Sequence, residues 1–552
     1  MNQLSMPPTE RHSTAPDETG TPEEGDQGFS NRTSPGEFTE PEYAKIEYTV
    51  STPAYVVDDV ILAGIVINGD ENKPKWYQER RSVLVVLGLV ITAAVLITLG
   101  ATGVFRSPPS ELKNIKDIKD ITDDVTCREF DQSSPRLPLQ FCKNSTCWEQ
   151  IGFDLRGTKP KEYFGKFPGL AKGGYHFVLS IDVEKDADND TVLVYDIDDS
   201  GSFNQIGRAF RGEHPGDELS GYLSQDGSRI AVTAPSWSKV KDKKDKTGRV
   251  RVFELQSGSW VQLGLHMDGE NEKDNFGFSA ALNRVGNILA VGSALFNTDG
   301  KKKGKVQVFR LHLNLTSSGN RTGTENNAYW KPLGDPIIPS DVDFDEKSGW
   351  SVALSDDGMI VAIGAKNDDV SGKSTGRIRV LRYLNSSWTQ MGNDLDGERI
   401  DDEYGRFVAI SADGKTVAGT ALYHDGDDGD GGTKIRSGQI RVYHYNDTTW
   451  LPLGRDLYGD NAGDKLRKVS LSASGDRLAM FTGNQPGYIR VYDLVDGDWQ
   501  QVGGRLTGRS YDSNFGADAA LSAGGDRLIV ASPSHSGDPC YGGLIRVFRL
   551  TV

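Results

Sequence analysis

The sequence predicts an all-β fold, a seven-bladed β-propeller over residues 147–552, preceded by a disordered tail (1–81), one transmembrane helix (82–105) and a stalk (106–146). Three observations predict it. An aromatic residue is followed four positions later by Gly seven times, at Trp148/Gly152, Phe203/Gly207, Trp260/Gly264, Trp330/Gly334, Trp388/Gly392, Trp450/Gly454 and Trp499/Gly503. An alternating run also recurs seven times, as in RVRVF (Arg249–Phe253), QIRVY (Gln439–Tyr443) and LIRVF (Leu544–Phe548), and period two is that of a half-buried strand. The units are roughly 50–70 residues apart, which accommodates the four short strands of one blade.

The tail comes first. Its opening part, to about residue 50, is rich in Pro, Thr, Ser, Glu and Gly and cannot bury enough apolar surface to offset its ordering entropy. Within it, Tyr43-Ala44-Lys45-Ile46 fits a tyrosine sorting signal, and Thr21-Pro22, Ser34-Pro35 and Thr52-Pro53 are candidate phosphosites, so a cytosolic sorting or signalling partner is expected. The run Ala54–Ile67 is more apolar than a disordered tail should be and reads as a docking segment.

Residues 82–105 carry no charge. About 22 residues of helix span about 33 Å, enough for a bilayer core. Lys73, Lys75, Arg80 and Arg81 crowd the N-terminal flank, which places the N-terminus in the cytosol and the propeller outside the cell or in a lumen, at the plasma membrane or an endomembrane. Six N-x-[ST] sequons follow the span, at Asn144, Asn189, Asn314, Asn320, Asn385 and Asn446, against one before it at Asn31, and they are the candidate glycosylation sites.

All four cysteines, Cys127, Cys142, Cys147 and Cys540, lie on the same side, which fits two disulfides in any of three connectivities. In the stalk, Leu112, Ile115, Ile118, Ile121 and Val125 are spaced as one face of an amphipathic helix.

Each propeller unit reads as four strands. In the fifth, these are Gly405–Ser411, a turn at Ala412-Asp413-Gly414, Thr416–Ala421, QIRVY, and TWLPLG at Thr449–Gly454. The matching turn glycines are Gly174, Gly227, Gly286, Gly358, Gly414, Gly475 and Gly525. The domain opens on a lone fourth-strand motif (Cys147–Gly152) and ends on a third-strand motif, so the first strand is expected to complete the last blade and remove two sheet edges. That closure brings Cys147 toward the blade holding Cys540, so a Cys147–Cys540 clamp is expected, with Cys127 paired to Cys142 in the stalk.

The runs Phe276-Gly277, Phe515-Gly516 and Trp350–Gly358 give the unit a resemblance to FG-GAP and WD-type propeller repeats over about residues 147–552. The resemblance implies the architecture; propellers host unrelated activities. The FG-GAP calcium loop is only partly matched. Asp425, Asp427, Asp428 and Asp430 lie in an Asp/Gly-rich run whose oxygens suit a hard cation, so calcium is the one cofactor the sequence suggests.

Acidic loops and lysines are expected on one rim. Lys243, Lys244, Lys301, Lys302 and Lys303 suit an anionic glycan or an acidic protein, or are a solvated surface of a chain with net charge −16. No G-x-S-x-G, H-E-x-x-H or Walker loop is present, and SDDG and SADG read as hairpin turns. No catalytic residue is assigned and no nucleic-acid partner is expected. The expected function is therefore binding or adhesion toward a protein or glycan ligand, on a single-pass type II membrane protein. The alternatives are a propeller enzyme acting on polysaccharide and a structural cell-surface spacer.

Overall fold

The computed structural model describes residues 139–552, apart from connections at 158–161, 172, 184–189, 199, 240–244, 299, 314–327, 340–344, 370–372, 428–431, 484–486, 509–513 and 534–541, together with two short strands in the tail. Val56–Val57 and Val60–Ile61 pair antiparallel as a small hairpin within the apolar tail run. The transmembrane and stalk-helix segments lie outside the described residues, among which no helix is long and apolar enough to cross a membrane.

Seven antiparallel sheets of at least four strands form the propeller. Blade five is typical: Tyr404–Ile410, Thr416–Ala421, Gln439–Tyr445 and Trp450–Pro452 pair in chain order, close to the strands expected from sequence. Second strands such as Ile360–Ala365 and Arg527–Ser532 are buried at every position, because each is covered by a neighbouring blade on both faces. This explains their unbroken apolar or small composition.

The buried side chains fall into seven clusters, one between each pair of neighbouring blades. Between the second and third, Val250 and Val252 pack with Phe276, Leu289 and Val291. The seventh cluster joins the chain ends: Phe164, Phe177 and Ile181 of the first blade pack with Ile529, Ile545 and Val547 of the last. The ring is closed as expected. Thr146–Arg156 pairs with the final strand Leu544–Thr551, with Thr551 opposite Cys147 and Leu544 opposite Arg156.

Two features differ from expectation. Gln140–Lys143, assigned to the stalk, forms a fifth strand of the last blade on the outer side of Thr146–Arg156. Within that hairpin Cys142 is bonded to Cys147, which overturns both the Cys147–Cys540 clamp and the Cys127–Cys142 pair. Register is the reason, since Cys142 and Cys147 are direct cross-strand partners. Cys127 and Cys540 lie outside the described residues.

The inner hairpin turns of blades two, four, five, six and seven follow one design, in which a serine hydroxyl donates to an Asp and accepts the amide five residues on. Ser411 Oγ donates to Asp413 Oδ1 (2.5 Å) and accepts the Thr416 amide (2.9 Å), while Gly414 takes φ +74°. A Cβ on Gly414 would sit 2.4 Å from Ile360 of the preceding blade, so this glycine answers both the turn and the interblade approach. The amide of Ala412 donates to the Ala473 carbonyl and its carbonyl accepts the Asp356 amide, each at 2.8 Å, linking turn to turn around the ring. SDDG and SADG are thus explained by turn geometry.

Closure also carries a buried ion pair. Arg546, fully buried, donates from Nε and Nη2 to the two oxygens of Asp154 at 2.7 and 2.9 Å. Burial alone would raise the Asp154 pKa, but the Arg546 bonds and charge, aided by Arg156 and Gln150, outweigh it and bring it to about 2. A carboxyl depressed on folding stabilises the fold above its unfolded pKa and loses that contribution as pH falls through its folded one. Stability is therefore expected to fall between about pH 4 and pH 2, and an Asp154→Asn variant should show a shallower loss across that window in denaturant titrations. Identical pH profiles for the two proteins would dismiss this role.

Candidate functional site

The innermost strands surround a cavity of about 660 Å³ on the ring axis. Counting eight residues back from each inner-turn glycine gives one position per blade: Lys166, Leu219, Phe278, Trp350, Arg406 and Arg467 in the first six, and all six line the cavity. The position lies where the chain enters the first strand from the interblade loop. It therefore belongs to the end of the ring opposite the inner turns. Deeper in, Gly221, Ala280, Ala281, Ser351 and Ala520 leave space that larger side chains would fill.

Trp350 organises this mouth. Its ring lies against Phe278 with centroids 4.6 Å apart, and Lys366 Nζ sits 4.4 Å from its centroid, with the Arg406 guanidinium at 5.7 Å. Lys366 is buried at the end of the second strand and bonds Glu403 at 2.9 Å; Arg406 also pairs with Glu403. Burial pulls the Lys366 ammonium below its ordinary pKa, against the opposing pull of Glu403. Lys468 pairs with Asp518 at 2.5 Å, and Lys166 pairs with Asp182. Of the four cations in the lining, Lys166, Arg406 and Lys468 are thus paired with carboxylates, while Arg467 pairs with none among the described residues.

Several rim carboxylates hold loops in place. Asp274, Asp402 and Asp464 are buried, and each Oδ2 accepts the amide three residues earlier, from Asn271, Arg399 and Asn461, at 2.9 Å. Each is followed by a residue of positive φ: Asn275 (51°), Glu403 (54°) and Lys465 (53°). Asp402 also bonds His424 Nδ1 at 2.7 Å, and Asp464 accepts the Tyr488 hydroxyl at 2.7 Å. These acids order the interblade loops that present the axial mouth.

The other residues singled out from sequence are dispersed. Asp425 Oδ1 accepts the Arg436 amide at 2.6 Å and fastens its own loop; Asp427 is exposed. Asp428 and Asp430 lie outside the described residues, among which no group of three or more His, Cys, Asp or Glu could hold a metal ion. Lys301, Lys302 and Lys303 lie in a third-blade loop docked on the approach to blade four, where the Lys302 amide donates to Asp345 Oδ1 (2.8 Å) and its carbonyl accepts the Lys347 amide (3.0 Å). They do not line the axial cavity. Lys243 and Lys244 lie outside the described residues, as do Asn189, Asn314 and Asn320.

Asn144, Asn385 and Asn446 are exposed. Asn385 and Asn446 sit in turns between third and fourth strands, and Asn144 in the turn entering the closing strand. Antiparallel pairing puts all three at the end of the ring opposite the axial mouth.

No protein-family model and no curated protein matches the chain. Among solved structures it is similar to the β-propeller domain of Cps50 (Swd1) from Myceliophteria thermophila, at 12% identity and a TM-score of 0.44, covering 73% of this chain and 99% of that one.

Proposed function

We propose that the protein is a single-pass type II membrane protein whose propeller is an extracytoplasmic binding module, with the axial mouth as its ligand-facing surface. The observation that carries the reading is the axial cavity, where aromatic and cationic side chains from several blades converge on one opening held by buried loop anchors. The basic flank at Lys73–Arg81, the uncharged run 82–105 and the sequons beyond it support the membrane orientation. Glycans on Asn144, Asn385 and Asn446 would cover the end opposite the mouth and leave the mouth open to a partner.

The full chain in sealed microsomes is expected to keep its propeller protected from added protease and to carry glycans at those three asparagines by glycopeptide mapping. Displayed on cells, it is expected to bind defined members of a peptide or glycan array. Digestion of the propeller from the cytosolic side would refute the orientation, and absence of any saturable ligand would refute the binding role.

A further inference from the structure

We infer that the axial cavity receives an acidic peptide segment, whose carboxylates are held by Arg467 and the indole N–H of Trp350. This rests on the binding-module reading and narrows its ligand.

Two donors at the mouth are unspent. Six of the propeller's tryptophans donate their indole N–H to a backbone carbonyl of the preceding blade, as Trp260 does to Ile206, and Trp237 donates to Glu213. The Trp350 indole alone makes no hydrogen bond among the described residues, and Trp350 lines the cavity. Arg467 stands in the equivalent position of blade six. It is exposed, and unlike Lys166 and Arg406 it pairs with no carboxylate among the described residues. An arginine fork and a neutral N–H are both donors without acceptor capacity, so the missing partner must bring acceptors. The Arg467 charge, which no carboxylate offsets among the described residues, favours an anion, and the low-dielectric walls focus its field.

Shape separates a peptide from a glycan. Sugars stack on open aromatic faces, but the Trp350 ring already has Lys366 Nζ at 4.4 Å and Phe278 at 4.6 Å. Its N–H edge remains. Below the rim the walls are apolar and lined by Leu170, Leu223 and Leu282, with small residues between, which suits a slender, partly aliphatic side chain such as that of glutamate and its apolar neighbours. The volume of about 660 Å³ lies in the range of ligand pockets and accommodates a few residues of chain.

The test is fluorescence anisotropy with the full chain in a non-ionic detergent. The probe is a fluorescein-labelled eight-residue peptide of alternating Glu and Leu, with its Gln/Leu counterpart and a sulfated oligosaccharide as separate arms. The acidic peptide is expected to bind saturably and more weakly as salt rises, and the Gln peptide not to bind. Arg467→Gln and Trp350→Phe should each weaken binding about tenfold. Lys302→Gln, on an exposed loop outside the cavity, should leave it unchanged. Both cavity variants are expected to keep the native melting temperature, because Arg467 is exposed and Phe preserves the contact with Phe278. Equal affinity for native protein and Arg467→Gln would overturn the inference. Tighter, Arg467-dependent binding of the sulfated oligosaccharide would overturn it in favour of a glycan. If the acidic peptide fails while array ligands still bind the displayed chain, this inference falls and the binding-module reading stands; if both fail, both fall.

Discussion

Deletion of residues 147–152 is expected to open the ring and abolish cooperative unfolding of the propeller. The deleted residues include Trp148, fully buried between the last two blades, and Ile151, buried at the seam between the last blade and the first. They also carry most of the register that pairs Thr146–Arg156 with Leu544–Thr551, so their loss frees two sheet edges at once. The side-chain contribution alone is large, since removing a buried Trp or Ile each costs about 2–5 kcal/mol. Asp154 would be pulled from Arg546, leaving a buried guanidinium without this partner, an additional cost of about 3–5 kcal/mol. A six-residue deletion within the connection 314–327, which joins two strands of blade three, should shift the melting temperature little by comparison. An unchanged melting temperature after deletion of 147–152 would disprove closure by this strand.

Trp499→Ala is expected to destabilise the protein by about 3–5 kcal/mol, read as a fall in the urea midpoint. Trp499 is fully buried on blade six, and its indole donates to the Leu453 carbonyl of blade five at 2.8 Å. Directly beside that carbonyl, Gly454 has φ +71°, and a Cβ there would sit 2.6 Å from Trp499 Cδ1. The aromatic and the glycine are therefore two halves of one latch between blades. Gly454→Ala should also destabilise, through both backbone strain and the clash, and Trp499→Phe should cost less than Trp499→Ala because it removes the N–H and part of the ring. A loss below about 1 kcal/mol for Trp499→Ala would reduce the latch to incidental packing. The chain contains its own comparison. Blade one has Phe203 where the others have Trp, and there Gly152 instead lies against the backbone of Gly201, where a Cβ would meet the carbonyl oxygen at 2.0 Å.

That pairing of Trp with Gly shows what a repeat can and cannot disclose. The motif of an aromatic residue followed four positions later by Gly was visible seven times along the chain, but its two members do not contact each other in the way the spacing invites. Trp499 meets Gly454, and Trp148 meets Gly503 and donates to the Val502 carbonyl across 354 positions of sequence. The functional residues were hidden for a related reason. Lys166, Phe278, Trp350, Arg406 and Arg467 share a position in their units but not a residue type, being cationic in some blades and aromatic in others, so a search for recurring residues passes over them. Superposing the seven units and looking for the column that varies would have found them. The acidic rim misled in the opposite sense, because Asp402, one of its blade-five carboxylates, serves loop geometry and is buried, whereas a count of carboxylates reads it as part of an exposed cluster.

By itself, the sequence determined the number of blades, the four-strand unit, the turn glycines and the completion of the last blade by the first strand. All of these rest on local periodicity, backbone φ requirements and the order of elements at the two ends, which are properties of neighbouring residues. Only the tertiary structure decided the Cys142–Cys147 bond, the fifth strand at Gln140–Lys143, the partner of each tryptophan and the group of side chains around the axis. Those depend on hairpin register and on which blade face lies against which, and seven near-equivalent units carry no local mark of either. The side chains that meet at the axis come from chain positions as far apart as Lys166 and Lys468, and ring closure alone brings them together.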